Sequence, residues 1–224
     1  MVIGSGLMAN VFREYMETEG LTIFASGVSD SSCTQRTEFE RESKLLSSID
    51  YRTKLVYFST ASLSDGTRTS MYTNHKYEME SLVRERFENH LILRLPTVVG
   101  RGGNSNNFFN YLTEMIRNGC EITIQKNLYR SLIDADHIPK LTGILIEKLD
   151  GVTIDISLDN QSTVGQIVSD IEDNIGIKTS KIELETETNK PIDSSKLRNL
   201  NPVEFKNLST IDYDKRLIKK YLKL

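Results

Sequence analysis

Tryptophan is absent from this sequence, and cysteine occurs only twice, at Cys33 and Cys120. Two thiols so far apart frame neither a disulfide scaffold nor a zinc site. The three histidines, His75, His90 and His137, show no metal-ligand spacing. Neither sign of charge dominates: 28 Lys and Arg oppose 31 Asp and Glu, a net of -3. So balanced a chain has no broad basic field to recruit nucleic acid or an anionic membrane. No apolar run reaches the length a bilayer demands. The opening "MVIGSGLMAN" lacks the basic region and long apolar core of a secretory signal. Internal repeats and low-complexity tracts are also missing. These absences lead to the expectation of a reduced, cytoplasmic globular protein.

What is present is a regular alternation. The 224 residues are enough to bury a core, as one domain or one domain with a small appendage. "MVIG" reads as a short strand, and "LMANVFREYMETEG" as a helix with Leu7, Met8, Val11, Phe12, Tyr15 and Met16 on one face, closed by Gly20. "LTIFASG", "KLVYFST", "LILRLP", "EITIQ" and "VTIDIS" read as further strands. Between them, "TEFERESKLLSSI", Tyr72 to about Arg86, "NNFFNYLTEMIRNG" and "DADHIPKLTGILIEKL" read as helices. Pro139 falls in the first turn of its helix, where proline is tolerated. Ser162 is the expected N-cap of "STVGQIVSDIEDNIG". From about Lys178 the pattern loosens into polar, turn-rich sequence before a last helix near Tyr213 to Tyr221. Strands alternating with helices predict a parallel α/β sheet.

Two motifs carry chemistry. "IGSGLMA" reads G-x-G-x-x-A between a strand and a helix. Gly4 permits the tight turn, Gly6 lets a pyrophosphate approach the backbone, and Ala9 allows close helix–strand packing. The bland alternative is a plain βα turn. The second motif is Tyr72 with Lys76, four residues apart on one helix face. By itself that spacing is common. Its neighbour is "YFSTAS", which ends a strand with hydroxyls at Ser59, Thr60 and Ser62. Ligands of open α/β sheets sit beyond the carboxyl ends of the strands. There a hydroxyl, the Tyr72 phenol and Lys76 could converge on a substrate C–OH or C=O. The nearby ammonium, together with a cationic nicotinamide, would be expected to lower the phenol's pKa toward the working range.

Taken in order, "GSGLMA", "VYFSTAS", "YTNHK", "LRLPTVVGRGG" and "RSLIDADHIPKL" resemble segments of the extended short-chain dehydrogenase/reductases, the nucleotide-sugar epimerase, dehydratase and reductase group. The resemblance covers most of the chain to about residue 160. It implies a catalytic set of Thr60, Tyr72 and Lys76, with Thr60 preferred over Ser59 by its place in the motif. It implies NAD or NADP held by Gly4, Gly6, Leu7, Met8 and Ala9, by the small-residue loop Ala25, Ser26 and Gly27, and by Pro96 and Thr97. Arg130 would face substrate phosphates, or be an ordinary surface charge. Two copies would pair through the helices 37–49 and 72–86, unless these are ordinary surface helices. Surface-polysaccharide biosynthesis is the pathway the resemblance suggests.

The chain also departs from that pattern. A dinucleotide fold normally has an Asp or Glu roughly 20 residues beyond the glycines to hold the adenosine ribose. "LTIFASGVSD" has none before Asp30, and resembles the family's fourth strand more than its second. Only 68 residues separate Gly4 from Tyr72, and 12 separate Thr60 from Tyr72. A β-α-β segment is therefore expected to be missing, with most of the adenosine pocket and the position that separates NAD from NADP. The first strand would then lie at a sheet edge. The fold expected is α/β: a truncated Rossmann-like parallel sheet, helices on both faces, and a small C-terminal substrate lobe. The truncated nucleotide-binding domain would span 1–160, with 101–135 contributing to the substrate side and 161–224 forming the lobe. Three functions stay open. The first is an NAD(P)-dependent enzyme of nucleotide-activated sugars, its cofactor bound weakly. The second is a non-catalytic relative with a binding or regulatory role. The third is a generic flavodoxin-like or phosphate-binding domain.

Overall fold

The computed structural model describes residues 1–64 and 70–222. Residues 65–69, inside the short segment joining Thr60 to Tyr72, lie outside the described residues, so the shortened loop read from the sequence is not described there.

From the start of the chain, β1 (Val2–Ile3), α1 (Leu7–Val11), β2 (Leu21–Phe24), α2 (Arg36–Ser47), β3 (Lys54–Thr60), α3 (Met71–Arg86) and β4 (His90–Leu95) alternate as the periodicity predicts. Then come β5 (Thr97–Val99), α4 (Phe108–Arg117), β6 (Ile122–Gln125), β7 (Tyr129–Arg130), β8 (Leu132–Asp134), α5 (Ile138–Lys148) and β9 (Val152–Asp155). The remainder holds β10 (Ser162–Thr163), α6 (Val164–Ile175), β11 (Lys181–Leu184), α7 (Ser195–Leu200), α8 (Pro202–Leu208) and α9 (Tyr213–Leu222).

The central sheet runs β1-β2-β3-β4-β9, parallel throughout. Its middle strands bury both faces, so they read as continuous apolar runs rather than alternating ones. Val56, Phe58, Leu91 and Leu93 join one apolar cluster with Phe12, Leu141 and Leu145 of α5, Ile167 of α6 and Ile218 of α9. Leu55, Tyr57 and Ile92 join the opposite cluster with Leu46 of α2 and Met79 and Val83 of α3. Helices therefore cover both faces, as expected.

β1 lies at the edge, and among the described residues no strand pairs with its outer side. Its inner side is tied to β2 by the Ile23 N–H donating to Met1 O at 2.9 Å and Ala25 N–H to Ile3 O at 2.8 Å.

Several boundaries differ from the sequence reading. α1 stops at Val11 and is followed by a single 3-10 turn, Arg13–Tyr15. Phe12 leaves helical geometry (φ -99°, ψ 17°). It is fully buried, with its ring 5.2 Å from that of Phe58, so tertiary packing overrides helical continuation. Thr163, not Ser162, caps α6: its hydroxyl accepts from Gln166 N–H while the Gln166 side chain reaches back. The Ser162 hydroxyl is committed elsewhere, donating to Asp214 at 2.6 Å. The polar stretch after Lys178 contains β11, paired in parallel with β6, and the helices α7 and α8.

Candidate active site

The glycine turn sets the floor. Gly4 has φ +132°, and a Cβ there would lie 2.4 Å from the Ala25 carbonyl oxygen. Only glycine fits, because β2 runs directly against the turn. Gly6 is different: a Cβ there would meet nothing within 4 Å. Its missing side chain keeps space open rather than relieving a clash. Ala9, 5% exposed, packs inward.

Thr60 ends β3, and Tyr72 and Lys76 lie in the first turns of α3. Ser70 caps that helix, accepting from Thr73 N–H at 3.1 Å while the Thr73 hydroxyl takes the Ser70 N–H at 2.8 Å. Alternation along β3 divides the two hydroxyls. Ser59 donates to Glu80 at 2.7 Å, and Glu80 is itself clamped by both guanidinium arms of Arg94, at 2.8 Å each. Ser59 is thus structural. Thr60 accepts the Ser62 N–H at 3.2 Å and is hydrogen-bonded to the Tyr72 phenol, so the two hydroxyls face one another.

These groups share one cleft of about 960 Å³. Its walls include Thr60, Tyr72 and Lys76, then Gly6, Leu7 and Met8, then Ala25, Ser26 and Gly27, and also Pro96, Thr97 and Arg130. Gly4 and Ala9 stand behind the turn and shape it without lining the cleft.

The electrostatics depart from the sequence argument. Lys76, 2% exposed, donates to Glu42 Oε1 at 2.9 Å and to the Tyr57 hydroxyl at 3.1 Å. Burial alone would push the Glu42 carboxyl up; Lys76, His75, Val28 N–H and Tyr57 overcome it and hold it at about 2. The expectation that Lys76 lowers the Tyr72 pKa is corrected here. Burial pushes the Tyr72 phenol well above the usual range, with Glu42 and Asp30 pushing the same way and Thr60 opposing. The chief physical reason is the phenol's burial; the ammonium expected to oppose it is paired with a buried carboxylate.

The opposite wall is built by the pairing of β7 with β10. There the Arg130 guanidinium lies over the Phe108 ring, 5.0 Å from its centroid. Asn189 brackets Tyr129, accepting its N–H at 2.8 Å and donating to its carbonyl at 3.1 Å. Across the cleft, Asn106 donates to Asp30 at 3.3 Å. Arg41 of α2 donates to the Ser26 carbonyl at 3.1 Å.

A dTDP-4-dehydrorhamnose reductase from Clostridium acetobutylicum superposes with a TM-score of 0.69 at 15% identity, over 95% of this chain and 84% of its own. A UDP-glucose 4-epimerase from Thermotoga maritima, solved with UDP-glucose, gives 0.65 at 18% identity, over 98% and 83%. A dTDP-glucose 4,6-dehydratase from Bacillus anthracis, solved with NAD, gives 0.66 at 13% identity, over 99% and 78%. This chain has the fold of those nucleotide-sugar enzymes. What is shared is the Rossmann-like α/β architecture, a parallel central sheet flanked by helices, as expected from the sequence. No protein family and no curated protein matches the chain by sequence.

Within this fold the sequence reading missed Glu42, Tyr57 and Asn189, and noted Asp30 only as the first carboxylate after the second strand. Glu42 left a trace: it lies on the inward stripe of α2 between Phe39 and Leu46, where an apolar residue is expected. Tyr57 and Asn189 are placed by tertiary contacts and gave no local signal. Among the described residues there is no cluster of His, Cys, Asp and Glu able to hold a metal, and no helix long and apolar enough to cross a membrane.

Proposed function

We propose that this chain is an NAD(P)-dependent enzyme acting on a nucleotide-activated sugar, by keto reduction, epimerisation or dehydration. The observation that carries the reading is convergence. Thr60, Tyr72 and Lys76, from two separate elements, face the same cleft as the turn at Gly6. A nicotinamide ring bound there supplies or accepts the hydride. Gly6 offers open space for a pyrophosphate, and Gly27 brings backbone close to Lys76, where a Cβ would lie 2.8 Å from Nζ. Thr60, hydrogen-bonded to the Tyr72 phenol, turns its hydroxyl to the reacting oxygen, and Tyr72 moves the proton on that oxygen. Arg130, with its guanidinium over the Phe108 ring, lines the same cleft and brings positive charge toward a diphosphate. Proteins of the same fold were solved with NAD, NADPH and UDP-sugars.

Residues 161–224 serve as the substrate lobe, and the outward faces of α2 and α3 serve as the surface for a homodimer. The non-catalytic reading draws support from the unpaired edge of β1, where the adenosine half of a dinucleotide would lack support. The two readings separate in an assay of NADH and NADPH oxidation against nucleotide-linked 4-keto sugars. The enzymatic reading expects turnover that Tyr72→Phe abolishes. Turnover absent from the wild type, or unchanged in Tyr72→Phe, would count against it.

A further inference from the structure

Glu42 belongs to none of the motifs, yet its carboxylate is wholly buried beside them. Oε1 accepts from Lys76 Nζ at 2.9 Å and from the Tyr57 hydroxyl at 2.7 Å. Oε2 accepts from Val28 N–H at 2.6 Å and faces His75 Nε2 at 3.0 Å. Lys76 is held in turn: Nζ donates to the Tyr57 hydroxyl at 3.1 Å and lies 5.2 Å from that ring's centroid, against 6.0 Å from the Tyr72 ring. Gly27 closes over the pair, since a Cβ there would come within 2.8 Å of Nζ and 2.9 Å of Oε1.

A buried carboxylate and ammonium in contact act on a third group as a dipole rather than as a free cation. Among the described residues, the groups facing the Tyr72 phenol are Glu42 from α2, Asp30 from the loop after β2, and Tyr57 and Thr60 of β3; Lys76, one turn on, lies 6.0 Å from its ring, and His75 shares the Glu42 carboxylate. With Lys76 compensated, no uncompensated cation stands among them.

We propose that Glu42 is a positioning residue: it fixes Lys76 in a neutralised pair, keeps Tyr72 a proton donor, and so biases the site toward reducing a carbonyl rather than oxidising an alcohol. This rests on the reading of Tyr72 as the group that moves the proton. In the favoured direction the carbonyl carbon gains a hydride from a reduced nicotinamide, which is oxidised. The C=O π bond opens, its oxygen takes the Tyr72 proton, and the phenolate recovers a proton from water. The reverse direction needs Tyr72 ionised beforehand, which burial opposes and a neutralised Lys76 does nothing to favour.

The test is a pH titration of Tyr72 by NMR, with tyrosines labelled at the ring carbon bearing oxygen and Tyr72 assigned by its absence in Tyr72→Phe. In the wild type the phenol should ionise above the free value of about 10. Glu42→Gln should bring it down by about one pH unit or more, a tenfold change in the ionisation constant. The double variant Glu42→Gln/Lys76→Met removes both ions and guards against a single variant that fails to fold. It should titrate within about half a unit of the wild type, because a compensated pair exerts little net effect. Wild-type ionisation below about 10, an unmoved phenol in Glu42→Gln, or a marked rise in the double variant would each overturn the proposal. No cofactor or substrate is needed, so failure here is distinct from failure to bind nicotinamide.

Discussion

Lys76 Nζ lies 2.9 Å from Glu42 Oε1, in a pair with side chains 3% and 0% exposed. The contact joins α2 to α3 beneath the small-residue loop that lines the cleft. It bears on folding as well as on chemistry, and the two can be measured apart.

The folding consequence has a defined sign. Glu42 ionises at about 2 in the folded chain against an ordinary value of 4.5. The folded state thus binds fewer protons, and the stabilisation is complete above pH 4.5 and lost as pH falls toward 2. Its full size is about 3 kcal/mol. Glu42→Gln should be less stable than the wild type at pH 7, by about 3–5 kcal/mol for a broken buried pair. It should also lose less stability between pH 5 and pH 2.5, as read by urea unfolding at each pH.

The two glycines of the turn should behave oppositely. Gly4→Ala places a Cβ 2.4 Å from the Ala25 oxygen at φ +132°, so the melting temperature should fall by several degrees or the chain should fail to fold. Gly6→Ala meets nothing within 4 Å and should melt within about a degree of the wild type. Its affinity for a nicotinamide dinucleotide should nevertheless drop about tenfold, because the methyl occupies space reserved for phosphate. Calorimetry and fluorescence titration read the two effects separately.

With Tyr72 as the proposed proton-transfer group, Tyr72→Phe removes that function and leaves the ring. Turnover should fall by about 10²–10⁴, the usual contribution of a positioned acid or base. Nicotinamide binding should stay within about twofold, since the hydroxyl serves the substrate oxygen.

Much of this was legible in the sequence. The βα alternation, the Gly4 turn and the helix from Tyr72 follow from patterns of a few residues, whereas the edge position of β1 followed from the family resemblance and the short Gly4–Tyr72 spacing. The two- and three-residue strands β5, β7, β8 and β10 carry no period and declare themselves only through their partners. α1 was read too long because Phe12 serves the core rather than the helix. β11 exposes all four residues, so no hydrophobic alternation marks it. At the site, convergence was legible but charge was not. The i, i+4 spacing placed Lys76 beside Tyr72. That Glu42, 34 residues away, reaches Lys76 depends on how α2 seats against α3, which no local pattern encodes.

The edge of β1 bears on how much of a dinucleotide this cleft holds. The ribose of an adenosine normally meets a carboxylate at the end of the neighbouring strand, and here no described strand lies beyond β1. Reduced nicotinamide mononucleotide should therefore bind within about threefold of NADH, and NADPH should be distinguished from NADH no better than that.

The most direct measurement is a fluorescence titration of the purified chain with NADH and NADPH. Saturable enhancement, weakened about tenfold in Gly6→Ala, is the result expected of a nicotinamide site at the glycine turn. No enhancement with either nucleotide at millimolar concentration would contradict it and leave the cleft to a ligand of another kind.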